Sequence, residues 1–327
     1  MTLSGPNIEE IRALHDRLRE QIVVTPVIRC PAIEAELGHD TEVFAKLEFL
    51  QRTGTFKARG ALATLQSLDA DALQRGVTAV SAGNHAIATA FAAKTLGSSA
   101  KVVMMSSANP SRVAACKAYG AEVVLVKDVH TAFATASCIE KEEGRTLVHP
   151  FDGVAITTAT GTIGLEICEQ IEGFDAVVIP VGGGGLISGI SNAVRRLCPK
   201  VEIIGVEPEG ADSMHRSFAS GEPESIDSVN TIADSLGAPF ALPYSFAVTK
   251  ANVDRLVLLN DQQLRQAMGF LFQSMSIAVE PACAASTAAL LGPLRKSLLG
   301  KRIVIVMCGS NINWTTFAEQ AIFDHVD

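Results

Sequence analysis

Short apolar segments alternate with helical patterns along most of the chain, and this alternation constrains the fold more than any other feature. The segments 176–181, 201–206 and 302–307 are almost continuously apolar, and helical periodicity separates them. Strands that are apolar on both faces and connected through helices are typical of parallel sheets with helices on both sides. The sequence therefore predicts an α/β fold with open, mostly parallel sheets.

The length of the chain and the order of its patterns predict two lobes. A chain of 327 residues is too long for one small domain and suits two lobes that share a large apolar interior. We expect a small α/β lobe, residues 54–149, inserted into a large lobe built from residues 1–53 and 150–327. Residues 209–245 are turn-rich and poorly periodic, which is unusual in a compact domain and often marks a functional segment.

Composition and charge restrict the classes of partner and compartment. The formal net charge is -8, and the chain has one Trp and two Tyr, so neither nucleic acid nor an anionic membrane is expected as a partner. Residues 1–19 are polar and carry both charge signs, unlike a signal peptide, and no apolar run has membrane-spanning length. Seven cysteines without a Cys-x-x-Cys pair favour a reducing compartment. We therefore expect a cytoplasmic protein.

A run of four glycines follows the strand pattern at 175–181 and precedes a helical pattern that starts near Leu186. These glycines are Gly182, Gly183, Gly184 and Gly185. At such a junction they let the backbone turn sharply and direct several N–H groups to one point beside a helix N-terminus, which is typical of a phosphate site. A merely flexible turn is the alternative, and neither a dinucleotide fingerprint nor a Walker lysine fits the spacing. Residues 160–162, which we expect to open the preceding helix, are further candidate phosphate donors.

Lys57 is the candidate catalytic residue. The segment 50–61 reads LQRTGTFKARGA, and its turn and capping residues, followed by a good helix sequence, place Lys57 in the first turn of a helix. The exposed N–H groups and the positive end of the helix dipole disfavour a second positive charge there, so a lowered pKa and Schiff-base chemistry are expected. A solvated surface lysine is the alternative interpretation of this segment alone.

Two further motifs follow strand patterns. Residues 81–85 read SAGNH and lie between a strand end and a helix start, where their N–H groups can hold a carboxylate and the Asn84 amide can bond a ring hydroxyl. An ordinary helix cap is the alternative, and His85 is open to interpretation as a base or as a structural residue. Cys308 lies past the end of the last buried strand, where open α/β sheets bind their ligands. For Cys308 a buried structural thiol is the alternative.

One cofactor, pyridoxal phosphate, accounts for these motifs together. It has an aldehyde for Lys57, a phosphate for the glycine run, a ring hydroxyl for Asn84 and a pyridine nitrogen for Cys308. Its ring withdraws electrons from the α-carbon of an amino acid, while the protein supplies placement and electrostatics.

The same motifs carry a resemblance to a known family. TGTFKARGA at 53–61, SAGNH at 81–85, the glycines at 182–185, VEP at 206–208 and CGSN at 308–311 occur in this order. With them the chain resembles the fold-type II pyridoxal-phosphate enzymes of the serine/threonine dehydratase and serine racemase group over essentially its whole length. The resemblance implies a two-domain fold like that of the tryptophan synthase β chain, a small amino-acid substrate, and a homodimer or homotetramer.

The resemblance also implies a role for each matching residue. Lys57 would be linked to the cofactor and act in catalysis, Phe56 would pack beside the ring, Asn84 would contact the ring oxygen and Cys308 the pyridine nitrogen. The cofactor phosphate would bind Gly182, Gly183, Gly184, Gly185 and Leu186. The substrate carboxylate would bind Ser81, Ala82, Gly83, Asn84 and His85.

Two departures from the family pattern bear on function. Ala82 stands where the racemases carry a second serine, which acts on the opposite face of the substrate, so efficient racemisation is not expected. Relatives that bind a divalent cation use a Glu, an Ala carbonyl and an Asp. Glu207 and Ala211 match that pattern, but Ser213 replaces the Asp, which argues against a divalent cation.

The implied reaction is β-elimination from a β-hydroxy amino acid, in which the Lys57 amine removes the α-proton, the β-hydroxyl leaves, and a 2-oxo acid and ammonia are released. L-Threonine and L-serine are the default substrates. Residues 234–239 and Ser310 differ from the usual family segments, so a dehydratase for 3-hydroxyaspartate, phenylserine or a hydroxyectoine-derived 3-hydroxy amino acid stays open. β-Replacement fits less well, because the loop at 81–85 differs from the Thr-Ser-Gly-Asn-Thr of cysteine synthases.

Overall fold

The computed structural model describes residues 4–323, and the two ends of the predicted large lobe lie outside this range. Within it, ten strands form two sheets. The strands are β1 (Val27–Arg29), β2 (Glu42–Leu47), β3 (Val77–Val80), β4 (Ala100–Met105), β5 (Glu122–Val126), β6 (Thr146–Leu147), β7 (Ala176–Pro180), β8 (Glu202–Pro208), β9 (Arg255–Leu259) and β10 (Arg302–Met307).

Helices cover both sheets and connect most of the strands. They are α1 (Ile8–Leu18), α2 (Pro31–Leu37), α3 (Lys57–Gln66), α4 (Ala70–Arg75), α5 (Asn84–Thr95), α6 (Pro110–Ala118), α7 (Val129–Glu143), α8 (Val154–Gln170), α9 (Gly185–Leu197), α10 (Ser213–Ser220), α11 (Pro243–Asn252), α12 (Asp261–Met275), α13 (Pro281–Leu291), α14 (Arg295–Leu298) and α15 (Trp314–Gln320). Single-turn 3-10 helices lie at Glu48–Leu50, Glu209–Ala211 and Asp234–Leu236. Within residues 4–323, no helix combines the length and the apolar character that crossing a bilayer requires.

The larger sheet has six strands in the order β1-β2-β10-β7-β8-β9, and the smaller has four in the order β5-β4-β3-β6. All neighbouring strands are parallel except β1 and β2. In the middle of the larger sheet, Val304 of β10 lies opposite Phe44 on one side and Val177 on the other. The prediction of an α/β fold with mostly parallel sheets is therefore confirmed.

The central strands are buried because they are apolar on both faces. Every residue of β7 is buried, and in β8 and β10 every residue after the first is buried. The smaller sheet uses the segment between α3 and α8, while the larger sheet draws strands from both sides of that segment. The lobe boundaries at residues 54 and 149 stay a prediction.

Helices α8 and α9 pack together at a glycine. A Cβ on Gly189 would lie 2.1 Å from Thr160 Oγ1 and 2.3 Å from the Thr157 carbonyl oxygen, so the two backbones approach more closely than a side chain would allow. Thr160 Oγ1 also donates to the Gly185 carbonyl at 2.7 Å. These contacts hold the N-terminus of α9, and with it the glycine run, against α8.

One detail of the sequence prediction is wrong. Helix α8 begins at Val154, so residues 160–162 lie inside the helix and do not offer free N–H groups to a phosphate. Its residues 156–167 are all buried, and a helix that is buried on every side has no amphipathic period to reveal its start. The segment 209–245, which the sequence analysis describes as turn-rich and poorly periodic, contains α10, two 3-10 turns and the start of α11 and has no other helix or strand.

Candidate active site

A cavity of about 340 Å³ lies between the two sheets, at the carboxyl ends of their strands. Ser81 follows β3, Gly182 follows β7 and Cys308 follows β10, and all three line the cavity. Lys57 and Asn84 line it as well. Ligands of open parallel sheets bind at this edge, so the structure brings the predicted motifs together in a typical ligand site.

Lys57 is the first residue of α3, and the preceding Phe56 provides no side-chain cap. The Lys57 Nζ donates a hydrogen bond to the Pro150 carbonyl oxygen and lies 5.0 Å from the centroid of the Phe56 ring. Burial lowers the pKa of Lys57 to about 8, although Cys308 and Glu280 act in the opposite direction. An amine with a lowered pKa is partly neutral near pH 7 and is therefore suited to act as a nucleophile or a base.

The glycine run forms a cradle of free N–H groups at the start of α9. Among the described residues, the N–H groups of Gly182, Gly183 and Gly184 have no backbone or side-chain acceptor. Gly184 caps the helix with a φ of +89°, in the left-handed region that favours glycine. Donors that converge beside a helix N-terminus bind anions. The cradle therefore fits the phosphate of the predicted cofactor.

Close packing leaves little room for side chains at residues 182–185, and Phe151 is the close neighbour of two of these four glycines. A Cβ on Gly183 would lie 2.3 Å from Phe151 Cδ2, and one on Gly185 would lie 2.7 Å from both Cα and O of Phe151. The backbone of the run is therefore pressed between Phe151 and α9. A side chain here would displace the N–H groups from the cavity.

Gly183→Ala is expected to weaken cofactor binding about tenfold or more, because overpacking of about 1–3 kcal/mol would push the cradle away from Phe151. Fluorescence titration of the apoenzyme with pyridoxal phosphate measures the dissociation constant. Gly221→Ala is the control, since a Cβ at that exposed position has nothing within 4 Å and only backbone strain is added. Equal affinities for the Gly183 variant and the wild type would contradict the assignment of the cradle.

The loop 81–85 leads into α5 and offers a second set of donors. Ser81 Oγ accepts a hydrogen bond from the Gly83 N–H at 3.1 Å. The N–H groups of Ala82, Asn84 and His85 have no acceptor within residues 4–323. This arrangement suits a carboxylate, as the resemblance implies.

His85 is buried, and its Nε2 lies 2.8 Å from the Val148 carbonyl oxygen. Burial and the charge of Lys57 lower the pKa of His85 to about 3. The ring is therefore neutral and donates from Nε2 to a carbonyl, which supports the structural interpretation of His85 over that of a base.

Both the nitrogen and the oxygen of the Asn84 side-chain amide form hydrogen bonds. Its Nδ2 donates to Glu280 Oε1 at 2.8 Å and to Ser235 Oγ at 3.2 Å, and its Oδ1 accepts from Asn311 Nδ2 at 2.8 Å. The amide therefore has one orientation, with the nitrogen directed toward Glu280.

Cys308 is a buried thiol directly after β10. A hydrogen bond with Cys283 and burial raise the pKa of Cys308 well above its ordinary value. The group is therefore a neutral thiol, which does not supply the charge that a carboxylate would give a ring nitrogen.

Several residues of the cavity were missed by the sequence analysis. Glu280 and Arg112 bring charge to it, and three aromatic rings form part of its wall: Phe133, Phe151 and Phe240. Phe151 and Phe240 have ring centroids 5.9 Å apart. These residues belong to no motif, and only the tertiary fold brings them to the cavity.

The candidate metal residues are engaged in local structure. The carboxylate oxygens of Glu207 accept hydrogen bonds from the Met214 and His215 N–H groups at 2.9 and 2.6 Å. Ser213 Oγ donates to the Ala238 carbonyl at 3.2 Å, and Ala211 is buried. Among the described residues, no three His, Cys, Asp or Glu side chains are grouped as a metal site requires.

An amine with a lowered pKa, a cradle of free N–H groups and a neutral thiol in one cavity fit the aldehyde, the phosphate and the ring nitrogen of pyridoxal phosphate. The family model described as "Pyridoxal-phosphate dependent enzyme" matches residues 18–309. The chain belongs to this family.

Individual relatives cover nearly the whole chain. The chain is 50% identical over 317 residues to the phenylserine dehydratase of Ralstonia pickettii, with 97% of each protein covered. It is 38% identical to the L-threonine ammonia-lyase of Geobacter sulfurreducens, covering 94% of this chain and 76% of the relative. The structure of maize serine racemase matches with a TM-score of 0.91 at 32% identity, covering 97% of this chain and 96% of that one. These matches confirm the predicted fold-type II group, the pyridoxal phosphate cofactor and the lyase class.

Proposed function

We propose that this protein is a pyridoxal-phosphate-dependent dehydratase for 3-hydroxy amino acids with an aromatic β-substituent. It would convert a phenylserine-type substrate into a 2-oxo acid and ammonia. The observation that carries the proposal is the aromatic wall of the cavity, formed by Phe133, Phe151 and Phe240. The 50% identity to a phenylserine dehydratase supports it. Among the substrates left open by the sequence, the proposal selects an aromatic one over threonine and serine.

Different residues of this chain have different roles in the proposed reaction. The cofactor, when bound, supplies an electron sink for the α-carbon. The N–H groups from Gly182 to Leu186 would hold its phosphate, and the thiol of Cys308 would lie beside its ring nitrogen. The N–H groups of the loop 81–85 hold the substrate carboxylate and so orient the α-carbon.

Lys57 moves the proton. Its neutral amine would take the α-proton, and the ammonium so formed would give a proton to the β-hydroxyl, which leaves as water. Ala82 offers no acid on the opposite face, so a proton is not returned there and racemisation is not expected. A neutral thiol at the ring nitrogen leaves the electron sink weaker than a carboxylate would, which favours prompt loss of the hydroxyl.

The charges of the cavity argue against an acidic β-substituent. Among the described residues, Lys57 and Arg112 are the lysine and arginine side chains that line it. Arg112 already forms ion pairs with Asp234 and, at 3.6 Å, with Glu280. No uncompensated cation is therefore left for the second carboxylate of 3-hydroxyaspartate, since Lys57 is committed to the cofactor.

A substrate panel tests the proposal. The kcat/KM for threo-phenylserine is expected to exceed that for L-threonine by about tenfold or more, because a hydrophobic pocket discriminates by about 1–3 kcal/mol per fitted group. Release of ammonia and of the 2-oxo acid is measured for phenylserine, threonine, serine and 3-hydroxyaspartate. A higher kcat/KM for threonine would overturn the aromatic assignment and favour a threonine dehydratase, which the match to an L-threonine ammonia-lyase would support.

The variant Phe240→Leu tests whether the aromatic wall of the cavity contacts the substrate. Loss of one aromatic contact of about 0.5–1.5 kcal/mol is expected to lower the preference for phenylserine over threonine about three- to tenfold. Phe272→Leu is the matched control, because Phe272 lies in an aromatic cluster with Phe317 outside the cavity. An equal loss in both variants would mean that the Phe240 ring does not face the substrate.

The assembly and the compartment stay predictions. A homodimer or homotetramer is expected, and light scattering of the purified protein tests it. A cytoplasmic location is expected, and fractionation of the source cells tests it.

A further inference from the structure

Glu280 is a buried carboxylate whose position in the fold leaves it free to face the cavity. It occupies the N-cap position of α13, where an acidic side chain would normally accept a hydrogen bond from the first turn. Its side chain makes no such bond, and the next residue is Pro281, which has no N–H. The carboxylate lines the cavity instead. A buried acid that does not cap its own helix needs another role.

The contacts of Glu280 converge on Asn84. Asn84 Nδ2 lies 2.8 Å from Oε1 and 3.1 Å from Oε2 of Glu280. A Cβ on Gly309 would lie 2.7 Å from Glu280 Oε1, so the glycine beside Cys308 leaves the space that the carboxylate occupies. Glu280 thus lies between the residue proposed for the ring oxygen and the residue next to the thiol proposed for the ring nitrogen.

The amide of Asn84 cannot turn over without losing two contacts. Its nitrogen faces Glu280, which only accepts when it is ionised, and its oxygen faces Asn311 Nδ2, which only donates. Asn311 Nδ2 in turn also donates to the Thr53 carbonyl at 2.8 Å. Glu280 therefore holds one N–H of Asn84, and the other N–H, which donates to Ser235 Oγ at 3.2 Å, is the donor that a ligand in the cavity would take over.

We propose that Glu280 is a positioning residue that fixes the Asn84 amide for the ring oxygen of the cofactor and places a negative charge beside the ring. This inference rests on the cofactor site described above and does not depend on which substrate is used. The carboxylate of Glu280 would lie between Asn84, the residue proposed for the ring oxygen, and Cys308, the residue proposed for the ring nitrogen.

The groups around Glu280 determine its charge. Arg112 of α6 faces it at 3.6 Å, and Asp234, Lys57 and Cys308 act on it from three other elements. Burial and Asp234 raise the pKa of Glu280 to about 7, against the opposite effects of Arg112 and Asn84. The carboxylate is therefore ionised above pH 7 and gains a proton below it.

The test is a pH titration of the visible absorption of the holoenzyme in the isosteric variant Glu280→Gln. A nearby anion favours the protonated form of the cofactor–lysine linkage, so its removal is expected to lower the pH midpoint of the band by about one unit. The apparent dissociation constant of pyridoxal phosphate, measured by reconstitution, is expected to rise severalfold in Glu280→Ala, which also releases Asn84. A readout of this kind does not require turnover and so separates this inference from the substrate proposal.

Glu207→Gln is the matched control, because Glu207 is also a buried carboxylate but caps α10 away from the cavity. That variant is expected to lose stability without a change in the midpoint of the band. An unchanged midpoint in Glu280→Gln would overturn the inference, as would an equal change in both variants. If Glu280→Ala does not fold, the midpoint of Glu280→Gln decides alone.

Discussion

Replacing Lys57 with alanine is expected to remove the visible absorption of the bound cofactor and to lower the elimination rate by about 10⁴-fold or more. In the proposed mechanism the variant loses both the amine that binds the aldehyde and the base that takes the α-proton, and a positioned base alone contributes about 10²–10⁴-fold. Absorption spectroscopy at saturating pyridoxal phosphate and an assay for the 2-oxo acid measure the two effects.

The control for this experiment is Lys94→Ala. Lys94 is an exposed lysine at the end of α5, and its removal is expected to leave both the spectrum and the rate unchanged. A visible band of normal intensity in Lys57→Ala would show that another amine holds the cofactor, and the assignment of the cavity would then fail.

Arg59→Met is expected to destabilise the fold by about 3–5 kcal/mol, because it leaves the buried Glu48 without its cation and removes one of the cations paired with the buried Glu166. Arg59 is fully buried. Its guanidinium donates to Glu48 Oε1 at 2.8 Å and to Glu166 Oε1 at 2.6 Å. Lys46 Nζ donates to Glu166 Oε2 at 2.6 Å. The cluster joins α3, which carries Lys57, to α8 and β2.

Urea denaturation of the holoenzyme measures the change in unfolding free energy. The control is Arg12→Met, because the ion pair of Arg12 with Glu169 is about half exposed and such pairs contribute about 0–1 kcal/mol. Similar losses in the two variants would contradict the importance of the buried cluster.

The same cluster predicts a pH dependence. Burial acts to raise the pKa of Glu166, but the charge of Arg59 and hydrogen bonds from His15 and Arg59 lower it to about 2. A lowered pKa stabilises the fold fully above the unfolded-state value of about 4.3, and this stabilisation is lost as the pH falls toward 2. In Arg59→Met the unfolding free energy is therefore expected to depend less steeply on pH between about 4 and 2.

The sheets and the glycine run could be predicted because their signals are local. A strand such as β10 is apolar at nearly every position, and four consecutive glycines between a strand and a helix have few alternative explanations. Helix α8 shows the limit of this reasoning, since burial on every side removes the period from which its first residue would be read.

The partners of the site residues could not be predicted, because they are far apart in sequence. Asn84 and Glu280 are separated by 196 positions, and Lys57 and Pro150 by 93. Glu280 reads as an ordinary acid before a helix that starts with proline, and nothing in its neighbours indicates a cavity. Such contacts follow from the arrangement of the two sheets, which sequence patterns define only by class.

The packing of Phe151 against the glycine run separates two kinds of change that an engineer could make. Residues 182–185 and Phe151 leave no space for added atoms, so substitutions there are expected to weaken the binding of the cofactor itself. Phe240 and the half-exposed Phe133 are not among the nearest neighbours of the run, so libraries at these two positions are expected to alter which substrate side chains are accepted while the cofactor stays bound.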